Sequence, residues 1–119
     1  MRPDLRRIIA VDAHRRRSGV CPPMIHALGT GETFHIAETP DGFTDLETGL
    51  RVWVEPGRII PAGAAPIVIS MGEDVGFSGF EPSSGEHFSG QAGGGSTVTI
   101  YDNRLDDYFQ YAVVNEHGL

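Results

Sequence analysis

Turn-forming residues recur at short intervals along the whole chain, and this spacing constrains the fold more than any other feature. The 119 residues include 16 glycines and eight prolines. Tight turns are explicit at Pro40–Gly42, Pro56–Gly57 and Pro61–Gly63. Proline presets φ in such turns, and glycine accepts a positive φ. A chain interrupted this often favours many short strands over long helices.

The segments between the turns carry the two-residue alternation of half-buried strands. The alternation is clearest in Glu32–Ala37, Leu50–Glu55 and Thr97–Tyr101. Short apolar or β-branched runs add predicted strands at Leu5–Asp12, Pro66–Met71 and Val75–Phe80. Together these segments predict a single all-β domain over residues 1–119, built as a mostly antiparallel sandwich of seven or eight strands.

The last segment, residues 105–116, carries two competing patterns. Tyr108–Val114 is rich in aromatic and β-branched residues, which favours a strand. Apolar residues from Leu105 to Val113 also recur at helical spacing. We predict the strand, because these side chains lose χ1 freedom in a helix, and we expect Asp102–Asp107 to be a hairpin loop. The alternatives are a sandwich with one C-terminal helix and a degenerate cupin-like barrel.

Length and cysteine content indicate the class of protein. A chain of 119 residues can bury a core of its own as one domain. Its single cysteine cannot form an internal disulfide. No apolar run has the length of a signal-peptide core or of a membrane span. We therefore expect a cytoplasmic protein of bacterial type with no membrane partner.

Charge is unevenly divided along the chain. Residues 1–17 carry a net charge of +4, whereas the remainder carries −11. An acidic body repels phosphate backbones, which argues against nucleic acid as a partner. We predict that residues 1–24 form an Arg-rich, partly loop-like region. Its arginines are expected to contact acidic surface on the same body or on a neighbouring subunit.

One group of residues has the composition of a soft metal site. Cys21, Met24 and His26 are ligand types for copper and lie within six residues. A blue-copper centre needs a second histidine and a different ligand order, and Pro22 and Pro23 make this loop stiff. We predict instead that Cys21 is structural or incidental, and that the protein has no metal and no cofactor.

A second candidate site surrounds His35 and Glu38. The fragments around these residues and around Pro61–Gly63 are similar to the two metal motifs of cupins. However, Ala37 and Pro66 stand where those motifs need a histidine. The resemblance implies an alternative function, a small cupin-like enzyme or small-ligand binder that uses His35 and Glu38 without the metal.

No catalytic residues are predicted from the motifs in the chain. Adjacent ionisable residues such as Glu86 and His87 lack a partner at the spacing of known acid–base motifs. The glycine run at 93–95 lacks the lysine and the following helix of a phosphate loop. Both observations favour a protein that is not an enzyme.

The C-terminal third resembles a known class of sandwich. It runs Phe77-x-Gly79-Phe80, a glycine-rich loop, T-V-T-I-Y-D at 97–102, and Tyr108-x-x-Tyr111-x-Val113. This order is similar to the C-terminal half of small bacterial proteins of unknown function built as cupredoxin-like or immunoglobulin-like β-sandwiches. Residues 1–45 depart from the pattern. The resemblance implies a fold and no activity.

The predicted function is a non-catalytic binding or interaction module whose partner is another protein or a second copy of the chain. Trp53, the only tryptophan, shares one face of its strand with Arg51 and Glu55. Tryptophan and arginine are typical interface anchors. Trp53, Arg51 and the outward-facing Tyr101 are therefore the predicted binding residues. In two alternatives, Trp53 is buried in the core or stacks on Arg51 at the surface.

Overall fold

The structure, a computed structural model that describes residues 1–114, contains one helix and ten strands in that range. Helix α1 spans Pro3–Ser18. The strands are β1 (Met24–Ala27), β2 (Thr33–Thr39), β3 (Gly42–Asp45), β4 (Leu50–Glu55), β5 (Arg58–Pro61), β6 (Ile67–Met71), β7 (Gly76–Glu81), β8 (Glu86–Ala92), β9 (Thr97–Asp102) and β10 (Asp107–Val114). None of the described residues form a helix with the length and apolarity needed to cross a bilayer.

The ten strands form one closed antiparallel barrel in which chain neighbours are also sheet neighbours. The ring closes where β1 pairs with β10, from Met24 opposite Val114 to Ala27 opposite Tyr111. A closed barrel leaves no strand edge unpaired. The predicted all-β class is confirmed. The predicted sandwich of seven or eight strands is wrong, because all ten strands belong to one continuous sheet.

The two alternative folds also differ from the structure. Cupins are jelly rolls with Greek-key connections, whereas every pair here except the closing one joins consecutive strands. The alternative prediction of a C-terminal helix is wrong, because Asp107–Val114 forms β10. This strand pairs with β9, with Tyr108 opposite Tyr101. The predicted hairpin between these strands is confirmed. Residues 115 and 116 of that segment lie outside the described residues.

Local signals at both ends define α1. Pro3 lies in the first turn, where its missing N–H costs no hydrogen bond, and Asp4 and Arg15–Arg17 complement the helix dipole. Gly19 ends the helix with a φ of 81°, and its N–H donates to the Arg15 carbonyl over 2.8 Å. The predicted strand at Leu5–Asp12 is therefore wrong. The region predicted to be partly loop-like is helical as far as Ser18.

Helix α1 lies inside the barrel. Every residue from Leu5 to His14 is buried, on all sides of the helix. Only a wall around the whole circumference can bury a helix in this way. Its apolar residues share one core with the inward side chains of the strands, the largest of which include Phe43, Phe88, Ile25, Ile59, Ile67 and Ile100. The helix therefore occupies the space that a ligand takes in some other barrels.

Ion pairs hold the N-terminal half of α1 to the wall. Arg7 Nε donates to Asp45 Oδ2 of β3 over 3.0 Å, and Arg6 Nη1 donates to Asp102 Oδ2 of β9 over 3.1 Å. Both aspartates are fully buried. Burial alone would raise the pKa of Asp102, but backbone N–H donors, the N-terminal ammonium and Arg6 together lower it. The Arg-rich region thus contacts acidic residues in the interior of its own chain.

The C-terminal half of α1 is held by arginines that bind backbone carbonyls. Arg16 Nη2 donates to the carbonyls of Glu55 and Arg58, over 2.8 and 2.9 Å. Arg17 donates over 2.8–3.0 Å to three further carbonyls, those of Ala92, Gly72 and Gly76. These carbonyls lie at the strand ends around one rim of the barrel. Arginine, with five donors in a rigid fork, suits this arrangement better than lysine.

Two inward glycines make room for aromatic rings in β7 and β8. Gly79 pairs with Phe88, and Gly90 pairs with Phe77. In each pair the ring covers the glycine, so a Cβ at either glycine would collide with it. The two ring centroids are 6.4 Å apart. Residues 81–96 are polar and glycine-rich, yet they contain strand β8, Glu86–Ala92. The small size of Gly90 in this strand serves the packing of Phe77.

Candidate interaction surface

Strand alternation places Trp53 on the outer face of the barrel. Val52, its neighbour in β4, is fully buried in the core, whereas Trp53 is half-buried and Arg51 is exposed. Trp53 pairs with Gly42 on the β3 side and with Ile60 on the β5 side. Because Gly42 has no side chain, Ile60 provides the only side chain directly opposite the indole among residues 1–114. The alternative that places Trp53 in the core is wrong.

Arg51 stacks on Trp53, as the other alternative predicted. The Arg51 Cζ lies 5.1 Å from the centroid of the Trp53 ring. Arg51 Nη2 also donates to Asp41 Oδ1 over 3.2 Å. Partial desolvation opposes ionisation of Asp41, but hydrogen bonds from Arg51 and Thr39 outweigh it and lower the pKa of that carboxyl. The Arg51 guanidinium is therefore oriented over the indole by a charged partner.

Apolar and aromatic side chains continue the outer face beyond Trp53. Val68 of β6 lies opposite Phe80 of β7 and is 49% exposed. Phe80 in turn pairs with His87 of β8, and the two ring centroids are 4.9 Å apart. We call Trp53, Ile60, Val68, Phe80 and His87 the outer stripe. It has one residue on each of five consecutive strands, and it shifts by two residues along the strands between β5 and β6, because Val68 lies opposite Arg58.

A shallow groove of about 470 Å³ runs beside the stripe over β6, β7 and β8. Three serines line it and pair directly across the strands, Ser70 with Ser78 and Ser78 with Ser89. The side chains of Val68, Phe80 and His87 border this row. We call this concavity the outer groove. The sequence did not predict this groove. The available signal was one outward-facing serine in each of β6, β7 and β8.

Charge is balanced around the outer stripe. Among the described residues, the exposed arginines are Arg2, Arg51, Arg58 and Arg104. Two of them flank the stripe, and each pairs with a carboxylate, Arg51 with Asp41 and Arg58 with Glu55. The chain as a whole carries a net charge of −7. The stripe is therefore a locally neutral face on an acidic protein.

The structure separates Tyr101 from the other two predicted binding residues. Strand β9 lies five positions from β4 in either direction around the ring, so Tyr101 and Trp53 are on opposite sides. Tyr101 pairs with Ser89 and therefore stands at the far edge of the outer groove. Its hydroxyl donates to Asp106, and this hydrogen bond raises the pKa of the phenol. Its ring packs 4.9 Å from that of Tyr108.

His35 and Glu38 do not converge on one site. They are three residues apart in β2, so the alternation of the strand places them on opposite faces. His35 is exposed on the outer face. Glu38 lies at a rim, beside Arg15 and Arg16 of α1. Within residues 1–114, no three His, Cys, Asp or Glu side chains cluster in a way that suits a metal ion.

Cys21 lies between α1 and β1, and its side chain is buried. Burial raises the pKa of the thiol to about 11, and the nearby Glu38 carboxylate adds to the shift. Met24 and His26 share one face of β1, while Ile25 between them points into the core. His26 Nδ1 lies 2.9 Å from the Thr33 hydroxyl. The buried Cys21 is thus separated from the other two potential copper ligands, Met24 and His26, which lie on the outer face of β1.

Comparisons of the chain with protein-family models, with curated protein sequences and with solved structures returned no match. The resemblance of the C-terminal third to cupredoxin-like or immunoglobulin-like proteins therefore stays a prediction.

Proposed function

We propose that this protein is a non-catalytic interaction module that pairs with a second copy of itself through the outer stripe and the outer groove. The observation that carries the proposal is the arrangement of Trp53 and the groove on one surface. Trp53 projects from β4, the groove lies over β6–β8, and β5 separates them.

This arrangement is self-complementary under a two-fold rotation. A rotation of 180° about an axis through the outer surface near β5 and β6 exchanges the positions of the projecting indole and the groove. Each Trp53 then faces the groove of the other copy, as an isologous interface requires. Tyr101, on β9, lies beyond the far edge of that groove, on the side of the barrel turned away from the two-fold axis. Trp53 and Arg51 are therefore the predicted binding residues that this interface would use, and Tyr101 lies outside it.

Electrostatics favour this face for contact between identical chains. Two molecules of net charge −7 repel each other over most of their surface. Around the outer stripe, Arg51 and Arg58 offset Asp41 and Glu55. A centre of tryptophan and aliphatic side chains with paired charges at its rim has the composition of known interfaces. Self-association is therefore least opposed where the apolar surface is available.

Four carboxylates of the interior, Asp12, Asp45, Glu81 and Asp102, have structural partners, which supports a role without catalysis. Arg7 neutralises Asp45, Arg6 neutralises Asp102, and Arg15 and Arg16 both contact Asp12. Glu81 accepts hydrogen bonds from Ser83 and Ser84, which lower its pKa although burial opposes this. Each of these carboxylates is engaged in holding the helix or a turn in place.

Sedimentation velocity over a series of concentrations tests the proposal. We expect the wild type to associate to a dimer, and Trp53→Ala to weaken dimerisation about 30-fold, as for loss of an interface anchor. Val68→Glu should also weaken it, because it places a charge in the centre of the stripe. His26→Ala is the matched control, since β1 lies on the far side of the ring. A wild type that stays monomeric, or a Trp53→Ala variant that dimerises normally, would refute the proposal.

Thermal unfolding of the monomer distinguishes an interface role from a core role. Trp53 lies on the outer face, so Trp53→Ala should change monomer stability by less than the ~3–5 kcal/mol typical of a buried tryptophan. Its emission should shift to shorter wavelength with dimerisation, as the indole leaves water. A large stability loss in dilute, monomeric protein would show that Trp53 serves the fold instead.

A further inference from the structure

A second concave site lies at the mouth of the barrel, beside the N-terminal half of α1. Its volume is about 420 Å³, and it is bounded by the helix, the β1–β2 hairpin and β10. We call it the mouth cavity. Arg6, Arg7, Phe34 and Tyr111 are among the residues that line it. It shares no residue with the outer groove, and it does not depend on the proposed self-association.

Two stacked arginine–phenylalanine pairs flank this cavity. The Arg6 Cζ lies 3.8 Å from the centroid of Phe109 in β10, and the Arg7 Cζ lies 3.9 Å from that of Phe34 in β2. Strands β10 and β2 are the two sheet neighbours of β1. The two pairs therefore stand on either side of β1 and face one cavity. Their guanidinium planes are fixed by the rings and by buried carboxylates.

Part of the hydrogen-bonding capacity of these side chains is unused. Arg7 donates to Asp45 through Nε and Nη2, and its Nη1 has no acceptor among residues 1–114. The buried polar atoms without a partner in the described part of the chain include Arg6 Nε, but not Arg7 Nη1. Tyr111 of β10 is buried and lines the same cavity, two residues after Phe109. Its phenolic O–H can donate one hydrogen bond to a bound acceptor.

We propose that the mouth cavity binds a small monocarboxylate with an apolar body. Its carboxylate accepts hydrogen bonds from Arg7 Nη1 and from the Tyr111 hydroxyl, and its body packs against Phe34 and Phe109. Charge-assisted hydrogen bonds to a carboxylate are among the stronger polar contacts in proteins. Apolar lining with a few convergent donors is typical of small-molecule sites.

The charges around the cavity determine which anion fits. Asp45 and Asp102 already neutralise Arg7 and Arg6. Glu32 and Asp107 at the rim are exposed carboxylates. The cavity therefore offers directed donors without a net positive charge. We expect it to prefer a single negative charge on an apolar molecule to inorganic phosphate, whose higher charge would be repelled at the rim.

Titration of the full-length protein with benzoate, followed by amide and arginine side-chain NMR, tests this inference. We expect saturable shifts at residues that line the mouth cavity, and no saturable shifts with inorganic phosphate. Saturable phosphate binding at the same residues would overturn the proposed selectivity. Absence of saturable benzoate shifts at the cavity would overturn the inference as a whole.

Two variants separate recognition from folding. Tyr111→Phe keeps the ring, removes only the hydroxyl, and leaves the buried ion pairs intact. We expect it to weaken benzoate binding about tenfold. Arg7→Lys keeps the charge beside Asp45 but removes Nη1, and should weaken binding at least as much. Arg58→Lys, on the outer face, is the matched control and should bind as the wild type does. Unchanged benzoate affinity in Tyr111→Phe would refute the assigned donor.

Discussion

Arg7 Nε lies 3.0 Å from Asp45 Oδ2, and this hydrogen bond joins α1 to β3 in the interior of the barrel. Asp45 has no exposed surface, and Arg7 is 5% exposed. Each charge therefore depends on the other for compensation, since water does not reach either one freely. Loss of one partner of a buried ion pair leaves the other charge unpaired, which costs about 3–5 kcal/mol.

We predict that Asp45→Asn lowers the free energy of unfolding by about 3–5 kcal/mol in urea denaturation at neutral pH. Glu55→Gln is the control, because it removes a charge from the exposed pair with Arg58 and should cost about 0–1 kcal/mol. The double variant Arg7→Met/Asp45→Leu should be less destabilised than either single change. Similar losses in Asp45→Asn and Glu55→Gln would contradict this view of the interior.

The close approach of Gly79 and Phe88 gives a second prediction. A Cβ at Gly79 would collide with the Phe88 ring and with the Val68 carbonyl. Gly79→Ala should therefore lower the free energy of unfolding by about 1–3 kcal/mol, as for an overpacked core, and the melting temperature should fall with it. Gly29→Ala is the matched control, since a Cβ there meets no atom within 4 Å. If both variants melt alike, the glycine does not make room for the ring.

Cys21 gives a prediction about pH. Burial raises the pKa of its thiol from 9.0 to about 11, so the folded state holds the proton more tightly than the unfolded state. The stabilisation from the neutral thiol is complete below pH 9 and is lost as pH rises from 9 to 11.

The measurement compares the wild type with Cys21→Ser in urea denaturation across this pH range. Tyrosines titrate in the same range, but they are common to both proteins and cancel in the comparison. Relative to Cys21→Ser, the wild type should lose about 2 kcal/mol between pH 9 and pH 11. A constant difference would show that the thiol is accessible to water in the folded protein.

Local alternation was sufficient to predict several strands and the outward placement of Trp53. In Leu50–Glu55 and Thr97–Tyr101, each residue meets either the core or the outer face, so the sequence records the alternation directly. Closure of the ring is different. It depends on the pairing of Met24–Ala27 with residues 111–114, and no local pattern encodes which distant strands meet.

Helix α1 was missed because it is buried on every side. An amphipathic pattern requires a solvent face, and the interior here accepts Arg6, Arg7 and Asp12 as ion-paired residues. These charges look like a solvated arm in the sequence. The signals that could have indicated the helix are at its ends, with Pro3 in the first turn and Gly19 after the last. The mouth cavity was missed for the same reason, since its arginines belong to that helix.

The central claim, that two copies pair through the face centred on β5 and β6, is tested most directly by cross-linking at the proposed two-fold axis. A residue close to such an axis lies near its own counterpart in the partner copy. Ile60 is on the outer face of β5, opposite Trp53 and between Trp53 and the outer groove. In a Cys21→Ser background, Ile60→Cys provides a single thiol there. Gln110→Cys, on the far side of the ring in β10, is the control.

Mild oxidation of the Ile60→Cys protein should convert most of it to a disulfide-linked dimer on non-reducing gels. The Gln110→Cys protein should stay monomeric under the same conditions. The Trp53→Ala change, added to Ile60→Cys, should suppress the cross-link. If Ile60→Cys forms no covalent dimer, or if Gln110→Cys cross-links equally well, two copies do not pair through this face.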